Sequence, residues 1–141
     1  MLSLASLLED SARNYPDRVA LIQGDRQLTY REVDGLARRV ASVLAQWGIG
    51  AGDRVALACP NLAEFPIIYY GILKSGAVVV PMNVLLKAEE IEYYLRDANA
   101  RAFFCFAGTP ELHLGEEGRA AFETVSTCEH FVLIGAADGV E

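Results

Sequence analysis

The fold is decided by residues 48–99, which read GIGAGDRVALACPNLAEFPIIYYGILKSGAVVVPMNVLLKAEEIEYYLRDAN. Two short apolar runs, RVALAC at 54–59 and AVVV at 77–80, are bounded by glycine, proline and asparagine, which is typical of buried strands. The segments that follow each run carry apolar residues at helical spacing. This alternation of buried strands and helices predicts a parallel sheet.

The same alternation continues towards the C-terminus. The runs RAFFCF at 101–106 and HFVLI at 130–134 predict two further strands, and residues 108–125 predict a weaker helical stretch between them. Short connections of this kind favour a doubly wound parallel sheet with helices on both faces. The predicted class is therefore α/β, with residues 31–134 as the sheet portion and residues 135–141 as a loop-like tail.

The first thirty residues predict a small appendage to this sheet. Leu4, Leu7 and Leu8 recur at helical spacing, so a helix is expected near residues 3–14. Residues 19–23 and 27–30 predict two short strands joined in a hairpin around residues 24–26. The length of 141 residues favours a single domain over residues 1–141.

Local signals fix where the helices begin and end. Thr29 followed three residues later by Glu32 forms a capping-box pattern, and Gly48 is placed to end the helix that follows. Asn61 and Glu64 repeat the pattern of a cap residue followed by an acid, so Asn61 is expected to cap the next helix.

The composition excludes several classes of function. The chain carries 19 acidic against 12 basic residues, a net charge of -7, and it has no basic stripe, which argues against a nucleic-acid partner. No apolar stretch of about 18 residues is present, so no transmembrane segment is predicted. A signal peptide is not evident either, because Glu9 and Asp10 interrupt the first apolar stretch. These observations predict a soluble cytoplasmic protein.

The cysteines favour a reducing compartment. Cys59, Cys105 and Cys128 are widely spaced and odd in number, and we predict free thiols. His113 and His130 do not complete a zinc-binding pattern with them. No metal ligand is therefore predicted.

Recognisable phosphate-binding and catalytic motifs are missing from the sequence. The turn after the first buried strand, CPNLA at 59–63, has no glycine, and Pro60 lacks a backbone N–H. Neither GxGxxG nor GxxxxGK[ST] occurs, and no serine lies in GxSxG. His113 is expected to be exposed and His130 to be structural. We therefore predict no catalytic and no cofactor-binding residue.

The remaining clusters of polar and aromatic residues favour structural roles. Acids near a helix start are stabilised by the helix dipole, so solvated faces are predicted for Glu89, Glu90, Glu92, Glu116 and Glu117. Adjacent tyrosines fall on different helix faces, so one member of each pair at 69–70 and 93–94 is expected in the core.

Four blocks in a fixed order resemble the acyl-adenylate-forming ligases, the AMP-binding enzymes that include the fatty acyl-CoA synthetases. They are NYPDRVALIQGDRQLTYREVDGLARRVASVL, GDRVALACPN, ILKSGAVVVPMN and LKAEEIEYYLRDANAR. Pro66 departs from the family pattern, as does Val84-Leu85, where a polar residue is common. The match fades after Phe106.

The resemblance implies a two-step reaction in which a carboxylate attacks the α-phosphate of ATP to give an acyl-AMP and a thiol, usually that of CoA, takes the acyl group. It implies ATP, Mg²⁺ and CoA as cofactors of a parent enzyme. The family's phosphate-binding loop, adenine-binding segment and catalytic lysine match no residue here. The positions that do match are turn and cap residues, which we interpret as scaffold: Gly52, Asp53, Pro60, Asn61, Gly76, Pro81 and Asn83.

The resulting hypothesis is an N-terminal portion of an ATP-dependent acyl-CoA ligase, with a fatty acid as the expected substrate and the remainder lost by truncation or proteolysis. This chain is expected to be inactive alone, to bind no cofactor, to pair with the remainder of the same enzyme and to self-associate. Two alternatives remain: a stand-alone α/β interaction module, and a nucleotide-binding protein of flavodoxin type.

Overall fold

The computed structural model describes residues 3–135. Its helices are α1 (Ala5–Asn14), α2 (Tyr30–Gln46), α3 (Glu64–Lys74), α4 (Ala88–Asp97) and α5 (Leu114–Thr124). Its strands are β1 (Val19–Gln23), β2 (Arg26–Thr29), β3 (Arg54–Ala58), β4 (Val78–Pro81), β5 (Ala100–Phe106) and β6 (His130–Ile134).

These elements form two compact units. The N-terminal unit comprises residues 1–52 and 61–78, and the sheet unit comprises residues 53–60 and 79–141. The sections expected from the sequence, 1–30, 31–134 and 135–141, stay a prediction. Residues 136–141 of the expected tail lie outside the described residues.

The N-terminal unit packs three helices and a hairpin around an apolar core. Strands β1 and β2 pair antiparallel, with Gln23 opposite Arg26 and Gly24 at φ 56° in the turn. Apolar side chains from α1, α2 and α3 meet in the core; they are Leu8, Val33, Ala37 and Ile67. Burial of such side chains is the main force that holds the unit together.

Helix α2 begins and ends where the sequence predicts. Glu32 N–H donates to Thr29 Oγ1 at 3.3 Å, and Thr29 N–H donates to Glu32 Oε2 at 2.7 Å, which completes the capping box. Gly48 follows the helix with φ 70°, a left-handed conformation that favours glycine.

Helices α2 and α3 approach each other closely at Gly71. A Cβ atom placed at Gly71 would lie 2.5 Å from Val40 Cβ and 2.9 Å from the Ala37 carbonyl oxygen. No side chain fits at those distances, so the backbone of α3 lies directly against α2.

The sheet unit contains four strands in the order β4-β3-β5-β6. Strand β5 pairs in parallel with β3 and β6, so Phe103 lies between Ala56 and Phe131. The strand β5 is almost entirely buried. At Gly118 helix α5 packs close to it, because a Cβ there would lie 2.6 Å from Cys105 Sγ.

The predicted α/β class is confirmed: a parallel sheet flanked by helices follows an N-terminal helix and an antiparallel hairpin. The expected strand at 130–134 matches β6 residue for residue. The helical stretch expected at 108–125 begins only at Leu114, because residues 109–112 form a turn closed by Thr109 and Leu112.

The prediction that Asn61 caps the third helix was wrong. Asn61 does not cap α3: the N-cap residue is Ala63, whose N–H donates to Gln23 Oε1 of the hairpin at 2.6 Å. The N–H group of Ala63 is therefore satisfied by a side chain forty residues earlier, which no local pattern reveals. Leu4 and Leu7 are exposed, because only Ala5 and Leu8 of α1 face the core.

Candidate functional site

The carboxyl end of the sheet, at strands β3 and β5, is where ligands bind in most open α/β folds. The chain passes from β3 to β4 on one side and then crosses to β5 on the other side, so connections leave these neighbouring strands in opposite directions. This topological switch point opens the crevice in which such proteins hold ligands.

After β5, several backbone donors are used within the chain. Thr109 N–H donates to the Leu112 carbonyl oxygen at 2.9 Å, and Leu112 N–H donates to the Thr109 carbonyl oxygen and side chain, each at 3.1 Å. Gly115 N–H donates to the Ala107 carbonyl oxygen at 3.1 Å. A phosphate cradle needs several backbone N–H groups that point at one anion, and this loop does not supply them.

The turn after β4 also uses polar groups in hydrogen bonds within the chain. Met82 N–H donates to the Leu57 carbonyl oxygen at 2.9 Å, and Asn83 Oδ1 accepts from Leu85 N–H at 2.9 Å. Asn83 therefore forms an Asx turn that leads towards α4.

Two cysteines lie near this end of the sheet, and both are buried. Burial, with a smaller contribution from nearby Cys59, raises the pKa of Cys105 to about 12. The Cys105 thiol makes weak contacts with the carbonyl oxygens of Phe106 and Leu114, at 3.5 and 3.6 Å. A nucleophilic cysteine needs a lowered pKa, so Cys105 has the properties of a core residue.

The N-terminal unit contains a buried cluster of charges that the sequence analysis missed. Lys74 Nζ lies 2.8 Å from Asp34 Oδ1 and 2.8 Å from Glu9 Oε1, and the side chains of Lys74 and Asp34 are 6% and 7% exposed. Arg38 Nη2 lies 2.7 Å from the second Asp34 oxygen. Asp34 Oδ1 lacks hydrogen-bond geometry despite the short distance to Lys74, so this contact is an ion pair rather than a hydrogen bond.

A cavity of about 480 Å³ borders this cluster. Its charged lining residues are Glu9, Arg13, Arg31, Asp34 and Arg38. Each arginine already faces an acid: Arg13 with Asp10 and Arg31 with Asp17 at 3.0 Å, and Arg38 with Asp34. With Lys74, the three arginines match the four acids Glu9, Asp10, Asp17 and Asp34, so the cluster has no net positive charge to attract an anionic ligand.

The two histidines lie at the ends of secondary-structure elements. His113 is the N-cap residue of α5 and is exposed, with Nδ1 at 3.4 Å from Glu116. His130 begins β6, with Nε2 at 3.9 Å from Glu129 Oε2. Within residues 3–135 no group of three or more His, Cys, Asp or Glu side chains could hold a metal ion.

The scaffold positions of the sequence analysis lie in turns and ion pairs. Gly52 and Gly76 have φ of 85° and 84°, as turn glycines do. Asp53 Oδ2 lies 3.2 Å from Arg101 Nη1, while Arg101 Nη2 lies 3.3 Å from Glu129 Oε2. This arrangement ties β3, β5 and the segment before β6 together at the amino end of the sheet.

Two further expectations about α4 and α5 were wrong. Tyr93 and Tyr94 are 64% and 45% exposed, so neither is in the core. Glu117 is not a solvated residue: its Oε2 accepts from Ala88 N–H at 2.8 Å, and its Oε1 lies 3.5 Å from Lys87 Nζ. It thereby links the start of α4 to α5.

The described residues of this chain include no helix long and apolar enough to cross a membrane.

A model of the AMP-binding enzyme family matches residues 8–138. The long-chain-fatty-acid–CoA ligase of Salmonella typhimurium is 39% identical over 101 residues, which cover 71% of this chain and 18% of that protein. The Mycobacterium tuberculosis fatty acyl CoA synthetase has a TM-score of 0.80 and 30% identity, over 94% of this chain and 26% of its own.

A further solved structure is the anthranilate CoA ligase AuaEII in complex with anthranoyl-AMP. It has a TM-score of 0.82 and 33% identity, over 94% of this chain and 25% of its own. The chain spans only 17–27% of the length of the first curated relatives that it matches.

Proposed function

We propose, from the premise that the chain belongs to the AMP-binding enzyme family, that it is the N-terminal part of an ATP-dependent acyl-CoA ligase. The single observation that carries this proposal is the family match over residues 8–138, together with relatives that are named CoA ligases. The proposed reaction has two steps. A carboxylate attacks the α-phosphate of ATP and releases pyrophosphate, and the CoA thiol then attacks the acyl-AMP and releases AMP.

A fatty acid is the proposed substrate. The curated relatives named for long-chain fatty acids are 38–41% identical to this chain. Anthranilate, named for a relative of 33% identity, is the main competing carboxylic acid. Free thiols at all three cysteines support a reducing, cytoplasmic location.

The described residues do not fit ATP or Mg²⁺. The turn at Cys59-Pro60-Asn61 has no glycine and the loop after β5 closes on itself, while no group of residues within 3–135 offers a set of metal ligands. We therefore assign no catalytic step to this chain. Its proposed role is to supply a rigid part of the scaffold on which the remainder of the ligase builds the site, and alone it is expected to be inactive.

Pyrophosphate exchange tests the proposed reaction. The longest polypeptide encoded by this reading frame should exchange labelled pyrophosphate into ATP only when a carboxylic acid is added. Octanoate and palmitate should support faster exchange than anthranilate. Faster exchange with anthranilate would overturn the fatty-acid assignment and leave the ligase assignment intact, whereas no exchange with any acid would overturn both.

The proposed partners are the remainder of the same enzyme and, for this chain alone, a second copy. Ile22 and Leu85 are each 70% exposed, and removing exposed apolar surface from water is a main driving force of protein association. Sedimentation equilibrium should therefore show an apparent mass that rises with concentration. A mass that stays that of a monomer up to high concentration would contradict self-association.

A further inference from the structure

The outer face of helix α4 carries two tyrosine rings that meet at nearly a right angle. Tyr93 and Tyr94 are 64% and 45% exposed. Their ring centroids lie 5.7 Å apart, and the angle between the ring planes is 77°. Ile91 and Leu95 are the buried residues of this helix, so packing within the sheet unit does not account for the two aromatic side chains.

A cavity of about 260 Å³ is lined by these two rings and two carboxylates. The lining residues are Glu89, Glu90, Tyr93 and Tyr94. In each of the pairs 89/93 and 90/94 the residues are four positions apart, so each carboxylate lies beside a ring on the helix surface. Glu90 is held in place, because its Oε2 accepts a hydrogen bond from Lys87 N–H at 2.9 Å. Sites for whole drug-sized ligands measure roughly 300–1,000 Å³, so this cavity suits a head group.

The basic residues next to this cavity in sequence contact other groups. Lys87 Nζ lies 3.5 Å from Glu117 Oε1 of helix α5. Arg96 Nη2 lies 2.9 Å from Glu92 Oε1. Neither of these acids lines the cavity. The two carboxylates of the cavity are therefore placed to attract a cation from outside the chain.

Other aromatic rings of the chain are covered by its own arginines. The Arg18 guanidinium carbon lies 4.4 Å from the ring centroid of Tyr15, and that of Arg119 lies 5.2 Å from the ring centroid of Phe131. The two rings of the cavity have no such contact within residues 3–135. The face of an aromatic ring carries negative charge from its π-system, so these two faces are open to an external cation.

We propose that this cavity binds the trimethylammonium group of a small organic cation. Aromatic faces attract cations, and two or more rings together form the cages that recognise quaternary ammonium groups. Such a group has methyl groups in place of N–H donors, so it needs no hydrogen-bond partner. A lysine ammonium is strongly hydrated, and an arginine guanidinium needs a planar set of acceptors, so both fit this cavity less well. The proposal is independent of the ligase reaction.

Proton NMR titration of this chain with choline chloride tests the proposal. We expect saturable shifts of the ring signals of Tyr93 and Tyr94, with half-saturation on the order of 10 mM, and little change at the remaining tyrosines. The reference titrants are sodium chloride and the neutral isostere of choline, in which carbon replaces nitrogen. Equal shifts with the isostere would indicate an apolar contact, and equal shifts with sodium chloride would indicate ionic screening. Either result, or a lack of saturation below about 100 mM choline, would overturn the proposal.

Substitutions at Tyr94 separate the role of the ring from that of its hydroxyl group. Tyr94→Leu should weaken choline binding, followed at Tyr93, at least about threefold, because one exposed cation–π contact is lost. Tyr94→Phe keeps the ring and should change the affinity by less than about twofold. Circular dichroism shows whether each variant is folded. Equal effects of the two substitutions would overturn the proposal.

The carboxylates are tested by removing one charge at a time. Glu89→Gln should weaken choline binding at least about twofold. The matched control is Glu123→Gln, which changes the net charge equally at an exposed acid of α5 that does not line the cavity. Equal effects of these two substitutions would contradict a local site and overturn the proposal.

Vesicles of phosphatidylcholine distinguish a free cation from a lipid head group. In this lipid the trimethylammonium group is close to a phosphate, which the carboxylates of Glu89 and Glu90 repel. We therefore expect that the chain does not sediment with the vesicles. Sedimentation with them that is lost in Tyr94→Leu would identify a lipid head group as the ligand and overturn the assignment to a small organic cation.

Discussion

Lys74 Nζ lies 2.8 Å from Asp34 Oδ1, and both side chains are more than nine-tenths buried. Lys74 ends α3, Asp34 lies in α2, and Glu9 of α1 contacts the same ammonium at 2.8 Å. One buried cation therefore joins the three helices of the N-terminal unit. Removing one member of such a pair leaves an uncompensated charge in a region of low dielectric constant.

We predict that Lys74→Met lowers the free energy of unfolding by about 3–5 kcal/mol, because Asp34 is left buried without its one buried cationic partner. Urea denaturation measures the change. The control is Arg38→Met, which removes the other partner of Asp34 from a side chain that is 71% exposed, and it should cost less than about 1 kcal/mol. Equal effects of the two substitutions would show that the buried pair has no special role.

Gly71 is predicted to be required by the close packing of α2 and α3. Gly71→Ala would place Cβ at 2.5 Å from Val40 Cβ, so we expect a loss of about 1–3 kcal/mol in the free energy of unfolding. The matched control is Gly35→Ala in α2, where no atom lies within 4 Å of the added Cβ. Alanine is the better helix former, so this change should stabilise by about 0.5–1 kcal/mol. Destabilisation at both sites would contradict the steric explanation.

The buried thiols predict a loss of stability at high pH. Burial raises the pKa of Cys105 to about 12 and that of Cys128 to about 11, from 9.0. Below about pH 8 both thiols are protonated in the folded and the unfolded chain, so they contribute no pH dependence. Above it the unfolded chain releases protons that the folded chain retains, and the free energy of unfolding falls by up to about 1.4 kcal/mol per thiol and pH unit.

This pH dependence is measured by urea denaturation between about pH 8 and pH 10.5. The double variant Cys105→Ala/Cys128→Ala should show a shallower decline than the unmodified chain, because other groups that titrate in this range are present in both. Identical slopes would mean that the thiols ionise in the folded chain as they do in the unfolded chain.

We predict that this chain alone does not bind Mg-ATP with useful affinity. The loop after β5 uses several of its backbone donors internally, including those of Thr109, Leu112 and Gly115. Isothermal titration calorimetry is the measurement. A dissociation constant in the low micromolar range, which corresponds to about -8 kcal/mol, would reveal a phosphate site that this loop does not suggest.

Much of the fold follows from short-range patterns. The capping box of Thr29 and Glu32, the left-handed Gly48 and the strand at 130–134 all depend on residues close together in sequence, and each is present. Apolar runs and turn residues are sufficient to predict such elements.

The helix start and the ion pair that the sequence did not predict have the same physical cause, because each depends on a partner far away in sequence. The sequence around Gln23 does not indicate that its side chain accepts a hydrogen bond from Ala63 N–H at the start of α3, forty residues later. Asp34 lies between Val33 and Gly35 in the amphipathic helix α2. Its burial is favourable because Lys74, which is distant in sequence, forms an ion pair with it. Two features of the sequence could have indicated this ion pair. They are an acid beside the apolar face of α2 and a lysine at the end of the apolar helix α3.

Tyr93 and Tyr94 illustrate a different limit. Helical periodicity places one of two adjacent residues near the core, yet Ile91 and Leu95 fill the buried face of α4 and leave both tyrosines outside. Periodicity predicts which face is apolar, but the width of the buried face depends on the neighbouring elements.

Product analysis of the longest polypeptide of this reading frame tests the central claim most directly. The purified protein is incubated with palmitate, ATP, Mg²⁺ and CoA, and the products are identified by mass spectrometry. We predict palmitoyl-CoA and AMP in equal amounts, formed only when all four reactants are present, and no product from the 141-residue chain under the same conditions. A folded longer protein that forms neither an acyl-AMP nor an acyl-CoA from palmitate, octanoate or anthranilate would contradict the proposed ligase function.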